Sequence, residues 1–348
     1  MGEGRKARSR RPRILVLAND AGGANLLKAL ICFEKDLVSW TVSAPLDSPA
    51  SRILKELEEI DHLVLEGPDP IAEIRSFKPD LLIFNPGWNS FPREIIAGKD
   101  DLGFPTAAIL DHWIDYDKRL HKDDADFFIV CDEYAFTTAS EASLSTILKL
   151  NNYHLMSLLK LGDDYDGVSE SAPDVLYISQ TIGMHENFKS GIDYDFTYHG
   201  LEEGKIIMQL LENFQDFSEQ FQVSGIRFRL HPSETEFRHH ELVDKFQNIR
   251  TSIESSSSMS LAESISNSRV VMGINSMAIY EAHLLGYPAF AIRPLPSTAI
   301  TIPIPETQKL NRVTDAVKNR LVTAEPNYYE EHPLQDLLAI IKPDHLNK

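Results

Sequence analysis

Several places in this chain put titratable or phosphate-seeking side chains directly after an apolar run. At "NDAGGANLL" (19–27), Asp20 precedes the pair Gly22 and Gly23. The glycines permit a tight turn and close backbone approach. A helix starting there would turn free N–H groups toward an anion or polar ligand. The spacing is not the three-glycine pattern of a dinucleotide site. Asp20 is either the cap of that helix or a carboxylate at the rim of a cleft. At "DHWIDYDKR" (111–119), Asp111 and His112 stand beside Trp113, Asp115 and Tyr116, which suggests a polar pocket with stacking surfaces. A carboxylate next to an imidazole can remove a proton from a hydroxyl, although such a pair also serves structural ends.

The second half carries three more such places. In "IRFRLHPSE" (226–234), Ile226, Phe228 and Leu230 alternate with Arg227 and Arg229. Pro232 cannot donate to a ladder and ends the strand, so His231 is held at its carboxyl end. Ser233 and Glu236 have capping-box spacing, which predicts a helix directly afterwards, over 236–246. A histidine so placed can hydrogen-bond a phosphate or protonate one as it leaves; the alternative is an imidazole satisfied by nearby backbone. "YISQ" (177–180) ends another strand with Ser179 and Gln180. "GINSMAIYEAHLLGYP" (273–288) reads as turn, apolar helix and turn, with Asn275 or Ser276 as the N-cap. A phosphate at that helix start gains about 1–2 kcal/mol from the dipole and local donors. Glu281, in the second turn, either accepts hydrogen bonds from a ribose or pairs with Arg293. The acidic strings "KDDAD" (122–126) and "DDYD" (163–166) read as solvated loops, and no metal or cofactor is expected.

These residues need a frame that lines up strand ends. Apolar runs at 13–18, 63–66, 80–85, 106–110 and 127–131 form one set. Runs at 174–179, 226–230, 249–253, 269–273 and 288–292 form another, with helical patterns between them, as at 203–214. Apolar strands alternating with helices imply parallel sheets covered on both faces. Ligands of such sheets bind beyond the carboxyl ends of the strands. The predicted fold is α/β, two doubly wound Rossmann-like domains facing a central cleft. The expected division is a disordered basic tail over 1–12, an acceptor-side domain over 13–165 and a donor-binding domain over 174–325. A helix over 326–348 is expected to pack back on the first domain. The stretch "GDDYDGVSESAPD" (162–174) has the composition of a linker.

The bulk numbers exclude several classes. At 348 residues the chain suits two domains. A net charge of -18 argues against nucleic acid as a partner. No apolar run reaches the roughly 18–20 residues of a membrane helix. The one basic block, Arg5 to Arg13, lacks the apolar segment of a signal peptide; it reads as a tail or as a weak tether to an acidic membrane surface. Two cysteines, Cys32 and Cys131, both in apolar contexts, suit buried thiols in a reducing, cytoplasmic compartment.

Taken together, the motifs of the second half resemble those of the GT-B class of glycosyltransferases. "RLHP" (229–232) looks like the His-Pro motif of bacterial sialyltransferases, polysialyltransferases and related capsule enzymes. "GINSMAIYEAHLLGYP" resembles their donor element, and "YISQ" the start of their donor domain. The resemblance covers roughly 174–292. It implies metal-independent transfer of a sugar from a nucleotide-sugar to a glycan or lipid-linked acceptor in surface polysaccharide synthesis, at or near the inner face of the membrane. It further implies that Arg229, His231, Pro232, Ser179, Gln180, Asn275 and Ser276 hold the donor with Gly22 and Gly23, and that Glu281 contacts ribose. The base would be Asp20 first, with Asp111 and His112 second. Asn275–Ser276 stands where a pair of adjacent serines is expected, so a UDP-sugar remains beside a CMP-sugar as donor. Two rival functions share these features: a UDP-sugar 2-epimerase or nucleotide-sugar hydrolase, and a non-catalytic nucleotide-sugar-binding protein.

Overall fold

The computed structural model describes residues 10–65, 69–86, 90–111, 113, 116–164, 174–180, 196–232, 234, 236–255, 257–296, 299–318, 334, 338 and 339. The tail before Arg10, His112, Asp115, Ser233 and residues 165–173 lie outside the described residues. The chain divides into two compact units, Met1–His154 with Tyr329–Lys348, and Leu155–Tyr328. The division falls at the start of the helix Tyr153–Asp164, ahead of the polar stretch that reads as a linker. Leu155 and Leu158 of that helix pack with Ala262, Tyr280, Leu284 and Leu285 of the second unit. Leu334 and Leu338 are buried and group with the first unit.

Each unit is built on one parallel sheet. The first has β1 (Arg13–Leu17), β2 (Ser39–Ser43), β3 (Asp61–His62), β4 (Leu81–Phe84), β5 (Thr106–Ile109), β6 (Phe127–Val130) and β7 (Ile147–Lys149). Their spatial order is β3-β2-β1-β4-β5-β6-β7. The second has β8 (Asp174–Ile178), β9 (Gly225–Arg229), β10 (Arg250–Glu254), β11 (Val270–Gly273), β12 (Ala289–Ile292) and β13 (Lys309–Leu310), ordered β10-β9-β8-β11-β12-β13. In both, the chain runs outward from the first strand, returns to its other side and runs outward again. The reversal leaves a crevice at the carboxyl ends of β1 and β4 in one unit and of β8 and β11 in the other, the place where such sheets take ligands.

The central strands are buried on both faces, so they read as continuous apolar runs such as Leu81–Phe84. Where burial and polarity separate, the sequence pattern departs from the structure. β2 carries Thr41 and Ser43 fully inside, and its "SWTVS" shows no apolar run. The expected strand at 63–66 is instead the two-residue edge strand β3; Val64, just beyond it, is half exposed. β7 and β13 are outer strands of three and two residues, too short to show an apolar run. The second core gathers Val175, Tyr177, Phe228, Met272 and Phe290 on one face of its sheet, with Ile207, Leu210 and Phe217 from the helices that cover it. Among the described residues, no helix is long and apolar enough to cross a membrane.

Candidate functional site

The first crevice is assembled from three strand ends in register. Leu17 pairs with Phe84, and Phe84 with Ala108. Just past them stand Asp20, Asn85 and Asp111. Asp20 is the N-cap of the helix Ala21–Phe33; its Oδ1 accepts from the Gly23 N–H at 2.9 Å. Asn85 donates its amide to the Ile109 carbonyl at 3.1 Å and to Asp111 Oδ1 at 3.0 Å. The two glycines are what let these groups meet. A methyl on Gly22 would stand 2.4 Å from Asp111 Oδ2 and 3.9 Å from Asp20 Oδ1. A methyl on Gly23 would stand 2.3 Å from Asn85 Cγ. Gly22 itself is exposed, so the point beside it that both carboxylates approach is open to solvent.

The aromatic residues after β5 do something other than stack on a ligand. Trp113 is buried and donates its indole N–H to Asp132 at 2.7 Å. Asp132 also caps the helix Glu133–Glu141 through Ala135 N–H, and burial pushes its carboxyl above the ordinary range against those hydrogen bonds. Tyr116 is fully buried. The stacking pocket that the sequence suggests is therefore corrected to an internal brace. Burial, reinforced by the Asp132 and Asp111 carboxylates, pushes the Cys131 thiol well up, so it packs as a neutral group. In "KDDAD" Asp123 and Asp126 are exposed, Asp126 while accepting from the Thr106 amide and hydroxyl, and only Asp124 is buried, accepting from His121 N–H.

The second crevice joins β8 and β11. Gln180, after β8, accepts the Asn275 N–H on its side-chain oxygen at 3.3 Å and donates its own N–H to Glu203 at 2.9 Å. Asn275 also clamps the segment after β12: it donates to Thr301 Oγ1 and accepts from the N–H groups of Thr301 and Ile302. Ser276, not Asn275, is the cap of the helix Met277–Leu284, accepting from Ala278 N–H at 3.3 Å. Glu281 lies in that helix, 3% exposed. The Arg293 partner that the sequence allows for Glu281 is directed to Glu306 and the Lys309 carbonyl.

His231 lies two residues beyond β9, exposed, followed by Pro232. The expected helix over 236–246 is corrected here: only His240–Val243 is helical. Glu234 folds back instead, accepting from His231 N–H at 2.8 Å while its own N–H donates to the His231 carbonyl at 2.8 Å. Its other oxygen accepts from the Ser179 hydroxyl at 3.1 Å. Burial raises the Glu234 carboxyl, while the bonds from His231 and Ser179 pull it down. The local chain gains more from closing this turn on a buried carboxylate than from starting a helix.

Arg229 goes elsewhere. Its guanidinium meets Glu254, donates to Ser264 Oγ at 2.6 Å and donates to the Met259 carbonyl at 3.1 Å, all inside the second unit. The structure thus brings Ser179, Gln180, His231, Asn275 and Ser276 to neighbouring strand ends and commits Arg229 to an internal network. Asn85, Glu234 and Glu203 are missed by sequence reasoning. Asn85 is the first polar residue after the apolar run of β4, the position that singled out Asp20 and Asp111; Glu234 was masked by the apparent capping box around it.

No family model matches the chain, and no curated protein matches it in sequence. Among solved structures, it is similar to UDP-GlcNAc 2-epimerase from Neisseria meningitidis bound to UDP-GlcNAc, at 13% identity and a TM-score of 0.58, covering 88% of this chain and 90% of that one. It is similar to S. aureus MnaA with UDP at 12% identity and a TM-score of 0.58, covering 88% and 86%. An α-2,3-sialyltransferase from Photobacterium phosphoreum aligns over 88% and 100% at 11% identity, with a TM-score of 0.49 that carries nothing further. These likenesses establish the fold, two Rossmann-like units of the GT-B class.

Proposed function

We propose that this chain is a GT-B glycosyltransferase that moves a sugar from a nucleotide-sugar to a hydroxyl of a glycan or lipid-linked acceptor in surface polysaccharide synthesis. The observation that carries the reading is the reversal point of the second sheet. There Gln180 binds Asn275, and Ser276 opens a helix containing the buried Glu281. His231 is pinned past the adjacent strand by Glu234. Helix N–H groups at such a crevice suit a donor phosphate, and Glu281 suits the ribose hydroxyls.

In this reading Asp111 is the base, ahead of Asp20, because Asp20 is engaged as a helix cap and Asp111 presents Oδ2 beside the exposed Gly22. The acceptor hydroxyl gives its proton to the carboxylate. Its oxygen bonds to the anomeric carbon as the bond from that carbon to the phosphate oxygen breaks. The electron pair leaves on the phosphate, where His231 and the first N–H groups of helix 277–284 stabilise it. Preorganised donors of this kind lower the barrier by about 3 kcal/mol each. The transfer proceeds without a metal, with a CMP-sugar as first donor and a UDP-sugar as second.

A thermal-shift panel of CMP, UDP, GDP and their sugars tests this. A ligand that binds only the folded state adds about 2.7 kcal/mol at a hundredfold excess over its dissociation constant. His231→Ala and Glu281→Gln should each abolish the winning shift; if both respond like wild type, the donor site is misplaced. Incubating the winning nucleotide-sugar without acceptor should return it unchanged. An epimerised sugar would assign the chain to the 2-epimerase reaction instead.

A further inference from the structure

Two successive glycines in the first turn of a helix are poor helix formers, and each one here has a specific neighbour. Gly23 leaves the volume that the Asn85 side chain fills, and Gly22 the volume that the Asp111 carboxylate approaches. Asn85 is 1% exposed, and its backbone is still in the ladder, donating to the Leu17 carbonyl at 3.0 Å. Its side chain bonds two acceptors, the Ile109 carbonyl and Asp111 Oδ1, so the amide must turn its NH₂ toward them. Its Oδ1 then faces away and takes no hydrogen bond among the described residues. Asn85 thus ties β4 to β1 through its backbone and to β5 through its side chain where the sheet reverses, and fixes one oxygen of Asp111.

We propose that Asn85 is a positioning residue that holds Asp111 Oδ1 so that Oδ2 stands beside Gly22, where the acceptor hydroxyl gives up its proton. This rests on the reading of Asp111 as the base. The alternative, an asparagine that only satisfies the Ile109 carbonyl, explains one of its two hydrogen bonds and not Gly22.

The test has one arm that needs no substrate. In crystal structures of the full chain, Asn85→Ala releases the Asp111 carboxylate from its wild-type place beside Gly22, and Asn85→Asp, which sets a second carboxylate against it, turns it away from residue 85. An Asp111 carboxylate in its wild-type place in both variants overturns the proposal. In the transfer assay Asn85→Ala lowers kcat by about a hundredfold, the loss expected of a misplaced group, and leaves the donor KM within about twofold. An unchanged kcat with a raised KM also overturns it. Gly22→Ala keeps the helix and Asn85 but displaces Oδ2, so it is expected to lose turnover while still binding donor; full turnover would overturn the placement. If wild type transfers nothing, the proposed reaction falls, and the crystal structures of the variants still decide whether Asn85 holds Asp111.

Discussion

At the scale of single residues, the second unit separates charges that work from charges that brace. Arg227 and Arg229 share a face of β9 and look alike in sequence, both apt for a phosphate. In the fold, both turn under the helix Leu261–Ser266. Arg227 donates to the carbonyls of Ser264 and Asn267 and to Ser268 Oγ, and Arg229 meets Glu254. Removing one partner of a buried pair leaves the other uncompensated and costs about 3–5 kcal/mol. Arg229→Ala is therefore expected to lower stability by that order in denaturant unfolding, and a double Arg229→Met, Glu254→Leu variant to recover part of it, since Glu254 also faces Arg227 Nε at 3.5 Å. Recovered stability with intact donor binding would assign Arg229 to the brace alone. His283 gives a second residue-scale expectation. Burial pushes its imidazole below the ordinary range, so the folded state resists a proton that the unfolded chain accepts. Stability is then lost as pH falls below about 6.5. His283→Gln should flatten that limb of the wild-type stability curve, as followed by unfolding midpoints between pH 7 and 5.

Elements show why some of this was legible in the sequence and some was not. The central strands were readable because burial on both faces leaves no polar position, as at Leu81–Phe84. β2 was not, because Thr41 and Ser43 are buried in a strand that looks polar. Strand-end positions Asp20, Asp111, Ser179 and Asn275 were readable from the break between apolar run and helix. The turn after His231 was not, since a long-range bond from Ser179 to Glu234, 55 residues apart, overrides the local cap signal. Glycine and serine positions follow the same logic at the second crevice. A Cβ on Gly273 would stand 2.8 Å from the Ile178 carbonyl oxygen, a backbone atom that cannot swing away. Gly273→Ala should thus cost roughly 1–3 kcal/mol by overpacking. Ser276→Ala should cost about 1 kcal/mol as a lost cap, and Ser276→Gly only a few tenths. If the Ser276 hydroxyl also touches the donor phosphate, Ser276→Gly weakens nucleotide binding by more than its small stability change explains.

At the scale of the whole molecule, each unit closes its own core around its own sheet, so the two have separate grounds for stability. Multidomain chains of this kind need not unfold in one step. Calorimetry is expected to resolve two transitions, and two variants assign them. Gly273→Ala lowers the transition of Leu155–Tyr328, whereas Gly23→Ala, whose methyl would meet Asn85, lowers that of the other unit. A nucleotide bound at Gln180, His231, Asn275 and Ser276 stabilises only the first of these. At a hundredfold excess over its dissociation constant it contributes about 2.7 kcal/mol, which for a unit of this size raises that midpoint by about 5–10 °C. The other midpoint should stay where it is, because Asp20, Asn85 and Asp111 contact no part of the nucleotide in the proposed arrangement. A nucleotide that raised only the transition lowered by Gly23→Ala would place the donor at the first crevice and exchange the roles of the two units.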